Sequence, residues 1–271
     1  MELAIGEEFP NSMCNVLAAP KLVILGGLEL GLDGSLGSDL MWGDMMITTT
    51  PYAMATRNDD REFSDTVNWV LQSLFYGDEQ GLLKDASRCQ KYTSLPAHVA
   101  QLNFMNAMYC IGSYGQILKE YEEQSEVSSS DINKINYGTT GMLYATPLGE
   151  YKIKHSADVA PLNAIKNKGP LKCGVVIPDG FDGNITSSDA LLGMSVDYCQ
   201  AVAAGLFDGK ADYVSLTTFS LDNGFVALDE GVIDLLSGGK AEKQYDFASP
   251  SLGRRGFDFS TPYYYGNEAA R

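Results

Sequence analysis

The sequence predicts an α/β protein whose mixed, mostly parallel sheet is covered by helices on both faces. Strand-length apolar runs at 171–177, 212–216 and 232–236 alternate with segments in which apolar residues recur every three or four positions. A strand that is apolar throughout is typical of a sheet covered on both sides. The 45% apolar content is that of a chain with a real core. A length of 271 residues suits one large domain or two small ones.

The helices follow from capping residues and apolar stripes. Asp59 and Asp60 can accept hydrogen bonds from the first turn of a helix that is expected to stop at Gly77. Its stripe recurs at helical spacing and consists of Phe63, Val67, Val70, Leu71 and Leu74. Two further helices are predicted, over 98–111 and from 112 into the acidic run at 120–123.

In the second half, Ser188 and Asp189 are expected to cap a helix that carries apolar positions from Leu192 to Leu206. A short helix is predicted over 222–230. Residues 1–50 differ from the rest, since they are rich in Gly and Met and have no clear period. Only 22–25 favours a strand there, and no phosphate-binding loop pattern is present.

The charge balance excludes several classes of partner. A formal charge of −16 argues against nucleic acid and against anionic lipid, because both need clustered Lys and Arg. No run of about 18 apolar residues predicts a membrane span. The acidic start at 1–9 has no basic region, so no signal or transit peptide is predicted.

The sequence gives no positive case for an enzyme, a metal or a cofactor. His98 and His155 are the only histidines, and neither has a second His or a Cys at ligand spacing. No nucleophile elbow or Cys–His arrangement is present. The acid pairs 59–60 and 122–123 are adjacent in sequence, so on a helix their side chains do not face each other.

Five cysteines leave the disulfide state open. Cys173 and Cys199 stand in apolar patterns and are predicted to be buried thiols. Cys89 and Cys110 are a candidate pair, and Cys14 completes the odd number. The triplet that begins at Asn184 is a glycosylation sequon, which matters only if the chain enters a secretory lumen.

Two long segments resemble one protein family. The segment from Leu171 to Gly266, with "LKCGVVIPDG", "GMSVDYCQAVAAGLF" and "FDFSTPYYYG", resembles the opening of periplasmic solute-binding proteins for polar amino acids. The segment from Pro51 to Pro147, with "AMATRNDDREFSDTVNWVL", resembles the close of the same proteins. The branch with the greatest similarity is that of the general L-amino-acid receptors of solute-binding family 3.

The resemblance implies a circularly permuted chain. In that family the first lobe ends at a segment like 258–264 and resumes at one like 53–60, so 171–266 and 51–147 would both build that lobe. Residues 148–170 would connect them, and 1–50 would be a remnant or replacement of the second lobe, or a docking segment. The segments 51–57 and 259–265 should then lie side by side in one sheet whose central parallel strands are the apolar runs 171–177 and 232–236.

The resemblance also implies where a ligand would lie. In the family, a serine and then an arginine that pairs with the ligand carboxylate follow a strand like the one that leads to Ser237. The arginine position falls here on Asp246 or Ala248, and neither side chain can bind the carboxylate of a ligand. Arg254 and Arg255 are candidate replacements, or else surface charges. Tyr263 completes the ligand-binding residues that the resemblance implies.

Two functions are therefore expected. The first is a non-enzymatic, solute-binding-like domain that serves as an accessory or structural subunit with other protein subunits as partners. The alternative is a small-molecule binder for an amino acid in transport or sensing, or a piece of a tandem receptor. An interaction face is expected around Ser237 and the tyrosines at 263–265, covered by residues 1–50 or by another chain. The family implies a periplasm or an equivalent organelle lumen.

Overall fold

A computed structural model of the chain describes residues 18–20, 46–89, 104–125, 131–136, 141–145, 165, 167–176, 184–185, 191–241 and 256–270. The strands in this part are β1 Ala18–Pro20, β2 Met46–Arg57, β3 Leu171–Val176, β4 Asn184–Ile185, β5 Leu191–Leu192, β6 Val214–Phe219, β7 Leu235–Lys240, β8 Phe257–Phe259 and β9 Tyr264–Ala270. The helices are α1 Arg61–Glu79, α2 Phe104–Ile111, α3 Tyr114–Ser125, α4 Met194–Leu206 and α5 Leu221–Asp229, with a 3₁₀ turn at Asp131–Asn133.

One mixed sheet organises the molecule. Its strand order is β1-β9-β2-β7-β3-β6, and β8 also pairs with β2. Strand β3 runs parallel to both β7 and β6. Strand β2 runs antiparallel to β7, β8 and β9. The predicted α/β class with a mixed sheet is confirmed, and the parallel part is β7-β3-β6.

Helices cover both faces of the sheet, as predicted. Successive strand residues point to opposite faces, and β7 shows the consequence. Leu235 lies in the large core cluster that α1 to α4 build, whereas Leu236 lies in a smaller cluster with Phe225 and Leu228 of α5. The large cluster draws residues from both 51–145 and 171–265, so the two segments share one core.

The two segments expected to be neighbours are neighbours. Strand β2 pairs with β8 through Ala55 and Phe259, and with β9 through Tyr52 and Tyr264. The predicted adjacency of 51–57 and 259–265 is therefore confirmed, although about 200 positions separate them. Strands β7 and β3 also occupy the middle of this sheet, as expected. The permuted chain order itself stays a proposal.

Several predicted boundaries move. The strand predicted at 232–236 instead lies at Leu235–Lys240. Val232 precedes it because its amide donates to the carbonyl of Ala227, near the end of α5. The side chain of Val232 is consequently 53% exposed. Strand β6 lies slightly later than predicted, at Val214–Phe219. Helix α1 continues past Gly77 to Glu79.

The caps agree in part with the sequence. Asp60 caps α1 by accepting a hydrogen bond from the Phe63 amide at 3.2 Å. Helix α4 begins after Gly193, whose φ of 138° favours glycine. The caps predicted at 188–189, the strand at 22–25 and both histidines lie outside the described residues.

The prediction of free thiols in the core is wrong. Cys173 of β3 and Cys199 of α4 are both buried, but they form a disulfide. An apolar sequence pattern predicts burial and cannot distinguish a thiol from a bridged sulfur. The candidate pair Cys89 and Cys110 also forms a disulfide, which joins the segment after α1 to α2. Cys14 lies outside the described residues.

Among the helices that the structure describes, none combines the length and apolar character needed to cross a membrane.

Candidate functional site

A cluster of hydroxyl groups lies beside α4, where the pairing between β7 and β3 ends. Ser237 is the register partner of Val175, near the carboxyl end of β3. Ligands of open α/β sheets bind at the carboxyl ends of parallel strands, and helix N-termini favour anionic groups there. The cluster contains Ser195 in the first turn of α4, Ser237 and Gly238 in β7, and Tyr263 between β8 and β9.

Ser237 carries a buried hydroxyl that lacks a hydrogen bond. Because side chains alternate along a strand, Ser237 lies on the same face as Leu235, which packs against α4. Its exposed fraction is 0%. Its Oγ finds no partner in the structure as described. A buried polar group without a partner costs about 1–3 kcal/mol, so this atom is a place where a further polar group would be stabilised.

Gly238 lets the backbone approach α4 closely. Its φ of +82° is one that side chains rarely adopt, and an added Cβ would lie 3.0 Å from Ser195 Oγ. Its amide donates to Tyr263 Oη at 2.8 Å. Ser195 Oγ lies 3.3 Å from the same phenol oxygen. One tyrosine hydroxyl therefore ties the end of β7 to the start of α4.

Tyr263 is held by packing and by the segment that precedes it. Its exposed fraction is 0%, and its ring centroid lies 4.2 Å from that of Tyr198 on α4. Ser260 Oγ accepts a hydrogen bond from the Met54 amide at 3.1 Å. The amide of Thr261 donates to Asn68 Oδ1 on α1 at 2.9 Å. The tyrosine is therefore positioned by both β2 and α1.

The cluster offers neutral donors and acceptors. Its named side chains are two serines and a tyrosine, which suit hydrogen bonding and lack the base needed to activate a hydroxyl nucleophile. Within the described ranges, no three His, Cys, Asp or Glu side chains come together as a metal site. The arrangement can hold a polar group by hydrogen bonds, and it supplies no reactive pair.

One ionisable group lies close by in the chain, at Asp197 of α4. Its pKa is raised to about 7, chiefly by burial and also by Glu120 of α3, while Lys84 opposes the shift. The charged neighbours of Asp197 are thus on α3 and on the segment after α1. They are separate from the residues that bond Tyr263.

The structure brings together two of the four residues that the sequence suggested. Ser237 and Tyr263 both lie next to Gly238, whereas Arg254 and Arg255 lie outside the described residues. Sequence reasoning missed Ser195 and Gly238. The position of Ser195 at the start of a predicted helix was the available signal for it, and the Gly pair after Ser237 was the signal for Gly238.

Most of the residues named for the expected interaction face are buried in this chain. Ser237 and Tyr263 are fully buried, and Tyr264 is buried beside Tyr52 with ring centroids 6.2 Å apart. These side chains pack against α4 and β2 of the same chain. Tyr265 is half-buried. The expectation of an interaction face covered by residues 1–50 or by another chain stays a prediction.

No protein-family model matches the chain, no curated protein matches it, and no solved structure matches it.

Proposed function

We propose that this chain is a non-enzymatic, solute-binding-protein-like domain that serves as an accessory or structural subunit of a larger protein assembly. The observation that carries the proposal is the outer edge of the sheet at β6. In the part of the chain that the structure describes, β6 pairs with β3 and ends the strand order.

Strand β6 itself lacks the charged residue, the proline and the bulge that often protect a sheet edge. Natural edge strands are kept from pairing with other chains by Lys, Pro, bulges or shortness. The sequence of β6 is VSLTTF, which has no charged residue and no proline. Its six residues pair with β3 in unbroken register. Ser215, Thr217 and Thr218 are exposed, so this edge is suited to accept a strand of a partner protein.

The hydroxyl cluster supports the same proposal. The Gly238 amide and the Ser195 hydroxyl both bond to the Tyr263 hydroxyl inside the chain, and Ser195 and Tyr263 are fully buried. A clamshell receptor encloses its ligand between two lobes. Groups that are already bonded to each other have less to offer such a ligand.

The test is the size of the native assembly and its dependence on β6. Tagged full chain is returned to its native source, and the mass of the complex that contains it is measured without denaturant. We expect an assembly larger than the chain, and we expect Ser215→Lys with Thr217→Lys to release the chain as a monomer, since lysines on an edge strand oppose pairing.

Gln80→Lys with Ala86→Lys adds the same charge at two exposed positions after α1 and serves as the matched control. The control should remain in the assembly. A wild-type chain that migrates as a monomer in the native extract would overturn the proposal.

The alternative function is an amino-acid binder, and the partnerless Ser237 hydroxyl favours it. Calorimetry with purified chain against the common amino acids decides between the two. We expect dissociation constants in the millimolar range or weaker, because an absent charged anchor removes about 2–5 kcal/mol. A low-micromolar constant that Arg254→Ala or Arg255→Ala abolishes would establish the binder and replace the first proposal.

A further inference from the structure

One asparagine of this chain stands in a glycosylation sequon. The triplet is Asn184, Ile185 and Thr186, and no other asparagine in the 271 residues has Ser or Thr two positions later. A triplet of this kind carries meaning only where the chain meets a glycosylating lumen in an accessible conformation. The fold and the cysteines supply observations on both conditions.

The place of Asn184 in the fold is peripheral. Among the described residues, strand β4 pairs only with β5, in a two-stranded ribbon that is separate from the seven-stranded sheet. The register partner of Asn184 is Leu192, and directly opposed residues of an antiparallel pair lie on one face of the ribbon. Leu192 is 43% exposed. Asn184 therefore has as its register partner a residue that is open to solvent.

The cysteines indicate the compartment. Four of the five cysteines form intrachain disulfides, one in the core between β3 and α4 and one between α2 and the segment after α1. Disulfides persist in oxidising compartments and are rare where glutathione and thioredoxin keep thiols reduced. The two bridges and the sequon are independent features, and both belong to chains that pass through a secretory lumen.

We propose that this chain matures in an oxidising secretory lumen and carries an N-linked oligosaccharide on Asn184. The donor is an oligosaccharide on a lipid pyrophosphate. The side-chain amide nitrogen bonds to the anomeric carbon of the first sugar, and the bond from that carbon to the pyrophosphate oxygen breaks. The lipid pyrophosphate leaves with the electron pair, and the amide nitrogen gives up one proton. This modification does not depend on the proposed subunit function.

The test uses the full chain behind a secretory leader in eukaryotic cells. Total cell and medium protein are treated with an endoglycosidase that cleaves N-linked sugars from asparagine. We expect wild type to show one discrete increase in mobility after treatment. Asn184→Gln and Thr186→Val should migrate at the treated position from the start, whereas Thr186→Ser keeps a sequon and should retain the shift. Retained intracellular protein is informative because the sugar is attached during translocation.

Disulfide formation is measured in the same samples by alkylation with and without reduction, followed by mass spectrometry. We expect four cysteines to be protected until reduction. Wild type with both disulfides and no sugar would overturn the modification, and so would a shift that survives in Asn184→Gln. Free thiols at 89, 110, 173 and 199 in the lumen would overturn the compartment. Mass analysis of the peptide around Asn184 from the native source should show the sugar in place.

Discussion

Asp197 shows how one residue can make the stability of this fold depend on pH. It lies in the first turn of α4, and its pKa is raised from 3.8 to about 7, chiefly by burial. Glu120 adds to the increase, and Lys84 offsets part of it. Between pH 4 and 7 the folded chain therefore holds a proton that the unfolded chain has released. Stability must fall as the pH rises through this window, because the folded state binds more protons there.

Replacing Asp197 by Asn should remove this dependence. The amide cannot ionise, so we expect Asp197→Asn to unfold at a higher temperature than wild type at pH 7.5, with a smaller difference near pH 4. Thermal unfolding across pH 4 to 8 measures both effects. Asp212→Asn removes a carboxylate at an exposed position and should keep the wild-type pH profile. A wild-type profile in Asp197→Asn would contradict the argument.

Other single residues show what a sequence can and cannot predict at a site. Ser237 and Tyr263 were suggested from the sequence, and they lie together. Their common neighbour Gly238 was missed because its role depends on a positive φ and on the approach of Ser195, neither of which has a sequence period. Cys173 and Cys199 fit an apolar pattern equally well as thiols or as a bridge, so only the three-dimensional distance between β3 and α4 decides.

At the scale of elements, the sequence predicts best where the local pattern and the fold agree. Helix α1 has an acidic cap and an unbroken apolar stripe, and strand β3 is apolar except at Lys172. The later part of β7 is Ser-Gly-Gly-Lys, which has low strand propensity. It is a strand because β3 and β2 pair with it on both sides.

Strand β9 is the clearest case of a distant partner deciding local structure. Its later residues do not favour a strand, yet Gly266 to Glu268 pair with consecutive positions of β2, and Ala269 pairs with it after a register shift. Asn133 extends the pairing on the other side. Its side-chain Nδ2 donates to the Tyr265 carbonyl at 3.1 Å, and its Oδ1 accepts from the Tyr265 backbone amide at 2.6 Å. Such contacts come from positions more than 130 residues away.

At the scale of the whole molecule, β2 comes from the first half of the chain but lies inside a sheet made largely by the second half. Strand β2 separates β7 from β9 and also pairs with β8, so three of its partners lie beyond residue 234. The large core cluster likewise contains Val67 and Leu71 of α1 beside Val202 and Leu206 of α4. Neither half can bury its own apolar face alone, and the two halves should form one cooperative unit.

Dividing the chain after residue 150 tests whether the two halves fold as one cooperative unit. Residues 1–150 and 151–271 made separately should each be aggregated or lack a cooperative thermal transition, because β2 and its partners are then on different molecules. The two fragments refolded together should co-elute and regain one transition. Ala55 is fully buried between β7 and β8, so a first fragment that carries Ala55→Arg should fail to reconstitute. If residues 151–271 gave a cooperative transition alone, the two halves would be independent domains, and the single shared core would not be what stabilises this fold.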